Sequence, residues 1–323
     1  MNNWSSDLVS IVIVSYKKPE LLSHALSSIN AQTYSRIEKI AVLNCFNDEE
    51  IAAMRRRFAD IQIIANKENL FYARALNQGI RRSQGEFVLC LNDDLVLEAN
   101  FVYEMLRAAK QDETIGMVNG YILRQTGNIV DSTGLFLGWS RRPVERGYGR
   151  KRGNVHSKDE YIFGSGGVAP LYRREMLEDI KINDEYFDED YGMFYEDLDL
   201  SWRAQNRRWR GYHACAALAY HCRGASSKQQ KPSLRLLQRY NFPWLSQELK
   251  ISLLKNRYAT IIKNDSLAQF LLHLPWILLY ELKVWGYLLL YEREVAKNAF
   301  KDSSFFKQAW AKRNKLKNIP NRC

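Results

Sequence analysis

The chain has 323 residues, of which 46% are hydrophobic, so it can form a large buried core and is neither collagen-like nor intrinsically disordered. Its formal net charge of +11 is unevenly distributed. Residues 1–230 carry 30 basic and 30 acidic side chains, whereas residues 231–323 carry 17 basic and 6 acidic ones. This shift predicts a first domain over residues 1–230 and a basic region over residues 231–323 that binds an anionic partner.

The cysteines and the start of the chain indicate the compartment. The five cysteines are scattered and form no CxxC pair, which is typical of a reducing environment rather than of a disulfide framework. The first apolar run, residues 8–14, is too short for a secretory signal. We therefore expect a cytoplasmic protein.

Short apolar runs alternate with helical patterns in the first 91 residues. Buried strands are predicted at residues 8–15, 39–44, 61–65 and 86–91, and helices after Pro19 and at residues 48–59 and 73–83. This alternation predicts an α/β fold with a mostly parallel sheet and helices on both faces. Ligands of such sheets bind at the carboxyl ends of the strands.

The next part of the chain is less periodic. Residues 124–160 predict loops and short strands, and residues 161–172 predict a strand around a glycine cluster. Helices are predicted at residues 174–180 and 200–207, and a short apolar segment at 215–221 ends this half of the chain.

Long helices are predicted from Ser233 onward. The stretch Leu267–Tyr291 is rich in Leu, Trp and Tyr, but Pro275, Glu281 and Lys283 interrupt it. A membrane-spanning helix needs about 20 predominantly apolar residues with few charges. We interpret the region as amphipathic helices that lie in a bilayer interface, and a soluble bundle packed on the first domain is the alternative.

The turn Asn92-Asp93-Asp94 directly follows an apolar strand. Carboxylates at a strand end can hold Mg²⁺ or Mn²⁺, and such a cation neutralises a diphosphate leaving group. Taken alone, two adjacent acids are more typical of a solvated turn or a helix N-cap.

Two further features carry chemistry. Glu196, Asp197 and Asp199 precede an apolar helix, where they either stabilise its N-terminus or supply a general base. His221 follows an apolar segment and is either a buried structural histidine or a metal ligand beside Asp94.

Together these residues resemble the family 2 glycosyltransferases, which have the GT-A fold, and the resemblance covers roughly the first 225 residues. The matching stretches are the run from Val9 to Tyr16 with Pro19 and Leu22, the segment from Asn69 to Ile80, the strand from Gly85 into Asp94, the glycine region from Gly164 to Arg174, the acidic stretch from Phe187 to Asp199 with Arg203, and His221 with Gly224 and Ser226. The C-terminal helices are similar to those of the bacterial rhamnosyltransferase-like branch.

The resemblance implies a role for individual residues. Asp94 would be the principal ligand of a divalent metal, Mg²⁺ or Mn²⁺, and His221 a second ligand. Asp197 would be the catalytic base, with Glu196 beside it. The nucleotide-sugar would contact Ser15, Tyr16, Glu20, Asn44, Arg74, Asn92, Asp93 and Asp94, and the acceptor region would include Gly166, Gly167 and Asp199.

The sequence departs from the family pattern at two positions. Asn92 stands where the family has the first acid of its acidic turn, and its carbonyl oxygen is a weaker ligand. Leu43 stands where the family has an aspartate that contacts the nucleobase, so either Asn44, Asp48 or backbone groups would take over that contact.

The sequence therefore predicts an inverting glycosyltransferase that moves a sugar from dTDP-rhamnose or a UDP-sugar to a glycan, as in cell-surface polysaccharide synthesis. The acceptor would be linked to polyprenyl diphosphate, and residues 234–323 would bind the anionic inner face of a bacterial cell membrane. A catalytically inactive relative and a basic nucleic-acid-binding protein are the alternatives. The basic region has no zinc spacing, RRM signature or helix-turn-helix, so we expect no nucleic-acid partner.

Overall fold

The computed structural model describes residues 7–153, 155–222, 245–301 and 303–318. Its centre is a ten-stranded mixed sheet flanked by helices, and further helices follow it. The strands are β1 Val9–Tyr16, β2 Ile37–Asn44, β3 Ile61–Asn66, β4 Phe87–Asn92, β5 Leu95–Leu97, β6 Ile115–Arg124, β7 Val130–Ser132, β8 Leu135–Leu137, β9 Pro143–Glu145, β10 Glu160–Ile162, β11 Pro170–Arg173 and β12 Arg210–His221. The helices are α1 Pro19–Asn30, α2 Asp48–Arg57, α3 Phe71–Arg82, α4 Phe101–Ala109, α5 Arg174–Ile180, α6 Glu196–Asn206, α7 Gln247–Asn264, α8 Leu267–Tyr291, α9 Arg293–Asn298 and α10 Ser304–Lys317.

The sheet has one parallel half. β1 pairs in parallel with β2 and β4, and β2 pairs in parallel with β3, so their carboxyl ends lie at one edge. β11 runs antiparallel between β4 and β6, and β12 pairs in parallel with β6 and antiparallel with β5 and β10. β8 and β9 form a separate hairpin.

Strand β1 is apolar on both faces because two cores cover it. Ile11 and Ile13 pack with Leu22 and Leu26 of α1 in one core. Val12 packs with residues of α3 in the other core. A continuous β-branched run, rather than an alternating one, is what such a doubly covered strand requires.

The predicted strands and helices of the first 91 residues are confirmed to within two or three residues at each end. The strand predicted at residues 161–172 is instead two strands, β10 and β11, because the glycine cluster turns the chain between them. Helix α6 begins four residues before the predicted start at residue 200. The elements α4, β5 and β6 were not predicted.

Helix α8 corrects the expectation that Pro275 breaks the stretch. The helix is continuous over 25 residues. Pro275 lies on its exposed side, where the missing N–H leaves a main-chain carbonyl near solvent rather than in the core. By length and composition α8 is long and apolar enough to cross a membrane.

Helices α7 and α10 pack on the first domain. Arg141 pairs with Asp265 at the end of α7 through Nε and Oδ2, 2.8 Å apart, and Asn206 donates to the Asn264 carbonyl at 2.9 Å. Helix α10 packs along α7, and its Lys312 pairs with Asp190 at 2.8 Å. The predicted boundary at residue 230, together with Gly224 and Ser226, lies outside the described residues.

Candidate functional site

An open cavity of about 490 Å³ lies at the carboxyl ends of β1, β2 and β4. This volume is in the range of ligand sites in proteins. Its lining residues are Val14, Tyr16, Lys18, Asn44, Asn69, Phe71, Tyr72, Asn92, Asp93, Asp94, Glu145, Gly167, Val168, Met193, Phe194, Glu196 and Asp197. The acidic turn and the two acids at the start of α6 therefore share one cavity, although about 100 residues separate them in the sequence.

Strand pairing brings His221 to the acidic turn. β5 follows the turn and pairs antiparallel with β12, with His221 opposite Leu95. The Cys222 N–H donates to the Asp94 carbonyl at 2.7 Å. As a result, His221 Nε2 lies 3.1 Å from Asp94 Oδ1.

A second carboxylate contacts the other ring nitrogen of His221. His221 Nδ1 lies 2.7 Å from Oδ2 of the buried Asp131, which is on β7. Burial opposes protonation of the imidazole, but its hydrogen bonds to Asp131 and Asp94 outweigh burial and raise the pKa of His221 to about 9. The ring is thus fixed in orientation between two carboxylates.

Asp94 and His221 could form part of a metal site in which other ligands fill the remaining coordination positions. Within residues 7–153, 155–222, 245–301 and 303–318, no group of three or more His, Cys, Asp or Glu side chains converges as a complete protein site would. Asp94 and His221 do offer two adjacent donors of types that Mn²⁺ accepts, and Asp131 orients the histidine as carboxylates behind metal-bound histidines do. A divalent cation fits here if diphosphate oxygens and water supply its other ligands.

Asp93 also lines the cavity, but its hydrogen-bond partner is Ser15. It is largely buried, and burial raises the pKa of its carboxyl, while the Ser15 hydroxyl donates to its Oδ2 at 2.6 Å and opposes that rise. Ser15 therefore contacts Asp93 but is not itself among the residues that line the cavity.

Glu196 and Asp197 line the cavity from the first turn of α6. Burial, followed by the charge of Asp197, raises the pKa of Glu196 to about 8, and its Oε2 has no hydrogen-bond partner among the described residues. Burial also raises the pKa of Asp197, but its carboxylate accepts N–H groups from Gly167 at 2.9 Å and Leu198 at 2.7 Å, which favour the charged form. These hydrogen bonds favour the charged form of Asp197, whereas burial and the charge of Asp197 favour the protonated form of Glu196.

The backbone before these two acids is strained. Phe194 and Tyr195 both have a φ of +72°, in the left-handed region that non-glycine residues avoid. Such a conformation costs on the order of 1–3 kcal/mol per residue and persists only when surrounding contacts hold it. The turn lets α6 begin at Glu196, so that Asp197 in its first turn faces the cavity.

The predicted site residues that line this cavity are Tyr16, Asn44, Asn92, Asp93, Asp94, Gly167, Glu196 and Asp197. Of the three candidates for the nucleobase contact, the structure places Asn44 in the cavity wall. Leu43 is buried in the core, and Asp48 is exposed in the first turn of α2.

Other predicted residues lie elsewhere. Glu20 is exposed in the first turn of α1, and Arg74 pairs with Glu189 through Nε and Oε2, 3.0 Å apart. The Gly166 N–H donates to Asn119 at 3.1 Å, behind the wall that Gly167 forms. Asp199 is 0% exposed and pairs with Arg203 at 2.9 Å, so it has a structural position rather than one in the acceptor region.

Sequence reasoning missed some cavity residues. Lys18, Asn69 and Tyr72 line it, and the Tyr72 hydroxyl donates to the Gly167 carbonyl at 2.8 Å. Glu145 reaches it from the β8–β9 hairpin and accepts the Ser132 hydroxyl at 2.5 Å. Lys18 lies two residues after β1, so its place near the cavity could have been predicted from the predicted end of that strand. The position of Glu145 could not, because it depends on how the β8–β9 hairpin folds back.

Solved structures share this architecture. S. aureus TarS aligns over 94% of this chain and 49% of its own, with a TM-score of 0.59 and 18% identity. The mannosyltransferase PcManGT from Pyrobaculum calidifontis, solved in complex with GDP-Man and Mn²⁺, aligns over 96% of this chain and 85% of its own, with a TM-score of 0.53 and 16% identity. The fold is therefore GT-A, a mixed α/β sheet followed here by C-terminal helices.

Sequence comparison identifies the family. The model of glycosyl transferase family 2 matches residues 10–181, more than half of the chain, so the chain belongs to that family. The poly-beta-1,6-N-acetyl-D-glucosamine synthase of Staphylococcus aureus (strain COL) is 24% identical over 209 residues, which cover 62% of this chain and 47% of the relative. The chain thus spans about half the length of the curated relatives it matches.

Proposed function

We propose that the chain is a metal-dependent, inverting glycosyltransferase that moves a sugar from a nucleotide-sugar to a glycan hydroxyl. The observation that carries the proposal is one cavity that both Asp94 and Asp197 line. The first can serve the diphosphate that leaves, and the second can serve the hydroxyl that attacks.

The donor is proposed to lie along the ends of the parallel strands. Tyr16, Asn44 and Asn69 would contact the nucleoside, and Lys18 would face the diphosphate. Asp94 and His221 would hold Mg²⁺ or Mn²⁺, which when bound neutralises charge on the leaving diphosphate. A relative of the same fold solved with GDP-Man and Mn²⁺ supports this arrangement.

Asp197 is the proposed base. It takes the proton of the acceptor hydroxyl while that oxygen bonds to the anomeric carbon and the bond from that carbon to the diphosphate oxygen breaks. One displacement inverts the anomeric centre, and no covalent glycosyl-enzyme is needed, in contrast to double displacement. An elevated pKa makes the Asp197 carboxylate a stronger base than a solvated aspartate.

The acceptor is proposed to be a glycan carried on polyprenyl diphosphate at the inner face of a bacterial cell membrane. Helix α8 supports this, because it leaves a long row of leucines exposed, including Leu282 at 71%. Such a face, flanked by the basic residues of the C-terminal region, fits an anionic bilayer surface. The similarity to a staphylococcal poly-beta-1,6-N-acetyl-D-glucosamine synthase supports a role in polysaccharide synthesis.

The donor is proposed to be dTDP-rhamnose or a UDP-sugar, and a donor panel tests this. Wild-type protein is incubated with dTDP-, UDP- and GDP-sugars, with Mn²⁺ or with EDTA, and release of nucleoside diphosphate is measured with and without glycan acceptors. We expect release from one donor class, its loss in EDTA and its loss in Asp94→Ala. No release from any donor would favour a binding protein without catalysis, and release that survives EDTA would refute metal dependence.

A further inference from the structure

A buried asparagine of α7 reaches the backbone that leads to the proposed base. Asn256 is 2% exposed, and its side-chain amide donates to three main-chain carbonyls. These are the carbonyls of Tyr191 and Met193, each at 2.9 Å, and of Phe194 at 2.8 Å. Because the amide has only two N–H groups, at least one of them is shared between acceptors.

The three carbonyls belong to the strained part of the chain. Gly192 has a φ of +62°, and Phe194 and Tyr195 both have +72°. Contacts outside the segment must hold such a conformation, because nothing in the local sequence favours it at the two aromatic residues. Asn256 supplies hydrogen bonds to carbonyls on both sides of Gly192 and at the first strained aromatic residue.

The segment held in this way forms part of the cavity. Met193 and Phe194 line it, and Glu196 and Asp197 follow after Tyr195. A second contact from α7 reinforces the same point, since Thr260 Oγ1 lies 3.0 Å from the Tyr191 hydroxyl oxygen. By contrast, Asp94 lies between β4 and β5, and it is β12 that pairs with β5.

We infer that Asn256 is a positioning residue for transfer: its amide fixes the turn at residues 191–195 and thereby the orientation of Asp197. The C-terminal helices then help to position the cavity residues 193–197, in addition to any contact with a membrane. This inference rests on the proposed role of Asp197. It predicts that the donor site works without the Asn256 amide, whereas transfer does not.

The test replaces Asn256 by Leu, which keeps the volume and removes the donors, and by Ser, which is smaller and polar. The control is Asn298→Leu, because Asn298 donates only to the Glu294 carbonyl of its own helix in the described structure. We expect Asn256→Leu to lower kcat at least about 10-fold, to raise KM for the acceptor, and to leave the Kd for the nucleotide-sugar within about 3-fold. The control should match wild type.

Hydrogen exchange provides a readout that does not depend on turnover. In the Asn256 variants, amides of residues 191–197 should exchange at least about 10-fold faster, while those of α7 and the central sheet stay unchanged. If kcat, donor affinity and the folded fraction all fall in parallel in both variants, or if neither variant folds, Asn256 is merely structural and the inference is overturned. Unchanged kcat and exchange would also overturn it. If the wild type transfers no sugar, the proposed function fails, and the exchange result still decides whether Asn256 holds the turn.

Discussion

Lys263→Met should show how strongly α7 is bound to the first domain. Lys263 is buried between two buried carboxylates, Asp188 and Asp199, and its Nζ lies 2.8 Å from Asp199 Oδ1. Removing one partner of a buried ion pair costs about 3–5 kcal/mol, because it leaves an uncompensated charge. Here Asp188 keeps Lys312 and Asp199 keeps Arg203, so we expect a loss of about 2–4 kcal/mol.

Urea unfolding followed by tryptophan fluorescence measures this loss. A decrease of that size should lower the unfolding midpoint by roughly 1 M. The matched control is Lys297→Met, because Lys297 is 70% exposed and its pair with Glu294 should contribute at most about 0.5 kcal/mol. A Lys263→Met midpoint equal to that of the control would refute the claim that this buried cluster binds α7 to the domain.

The stability loss caused by Lys263→Met should become smaller at low pH. Burial alone raises the pKa of Asp188, but the charges and hydrogen bonds of Lys263 and Lys312 outweigh it and hold that pKa well below its usual range. A depressed carboxyl pKa contributes stability above the unfolded value, about 3.9, and loses it as the pH falls further. The difference between Lys263→Met and wild type should therefore be constant from pH 5 to 7 and shrink below about pH 4.

Three further substitutions test other parts of the account. Asp131→Asn should lower metal-dependent turnover about 10–100-fold and weaken the response to added Mn²⁺, because the carboxylate that orients His221 is lost; equal Mn²⁺ titrations would contradict this role. Because the pKa of Glu196 is raised, the folded protein binds this proton more tightly than the unfolded chain, and wild-type stability should fall as the pH rises from about 5 to 8. Glu196→Gln should flatten this pH dependence of the urea midpoint. Parallel pH dependences in the two proteins would contradict a raised pKa. Replacing Leu271, Leu278 and Leu282 together by Ser should abolish co-sedimentation with anionic vesicles without lowering the unfolding midpoint, since all three are exposed; undiminished binding would exclude α8 as the membrane contact.

The parallel strands β1 to β4 were predictable because their apolar runs are short and bounded by turn residues. Short length and β-branched residues, as in β1, distinguish such runs from buried helices. Helix α4 had a comparable signal, since Phe101, Val102, Met105 and Leu106 recur with helical spacing and are all buried. It could have been found by the same reasoning.

The acidic residues near α6 show where sequence pattern is insufficient. Asp197 and Asp199 are two positions apart, and on an α-helix that spacing turns the side chains about 200° from one another. One carboxylate faces the cavity and the other is buried against α7. The contact that buries Asp199 comes from a helix about 50 residues later in the chain, and no local pattern contains that information.

Asp131 was not predictable for a related reason. It lies in a polar, glycine-rich stretch, and only the pairing of β7 with β6 brings it to His221. Pro275 lies inside α8, yet the helix is continuous over 25 residues, so the rule that proline ends a helix does not hold here.

The most direct test of the account is Asp197→Asn, measured for both turnover and donor binding. The substitution keeps the shape of the side chain and removes the base. We predict that transfer falls at least about 100-fold, in line with the contribution of a general base, while the Kd for the nucleotide-sugar changes by less than about 3-fold. Turnover close to that of wild type would contradict the assignment of Asp197 as the base, and with it the mechanism proposed for this cavity.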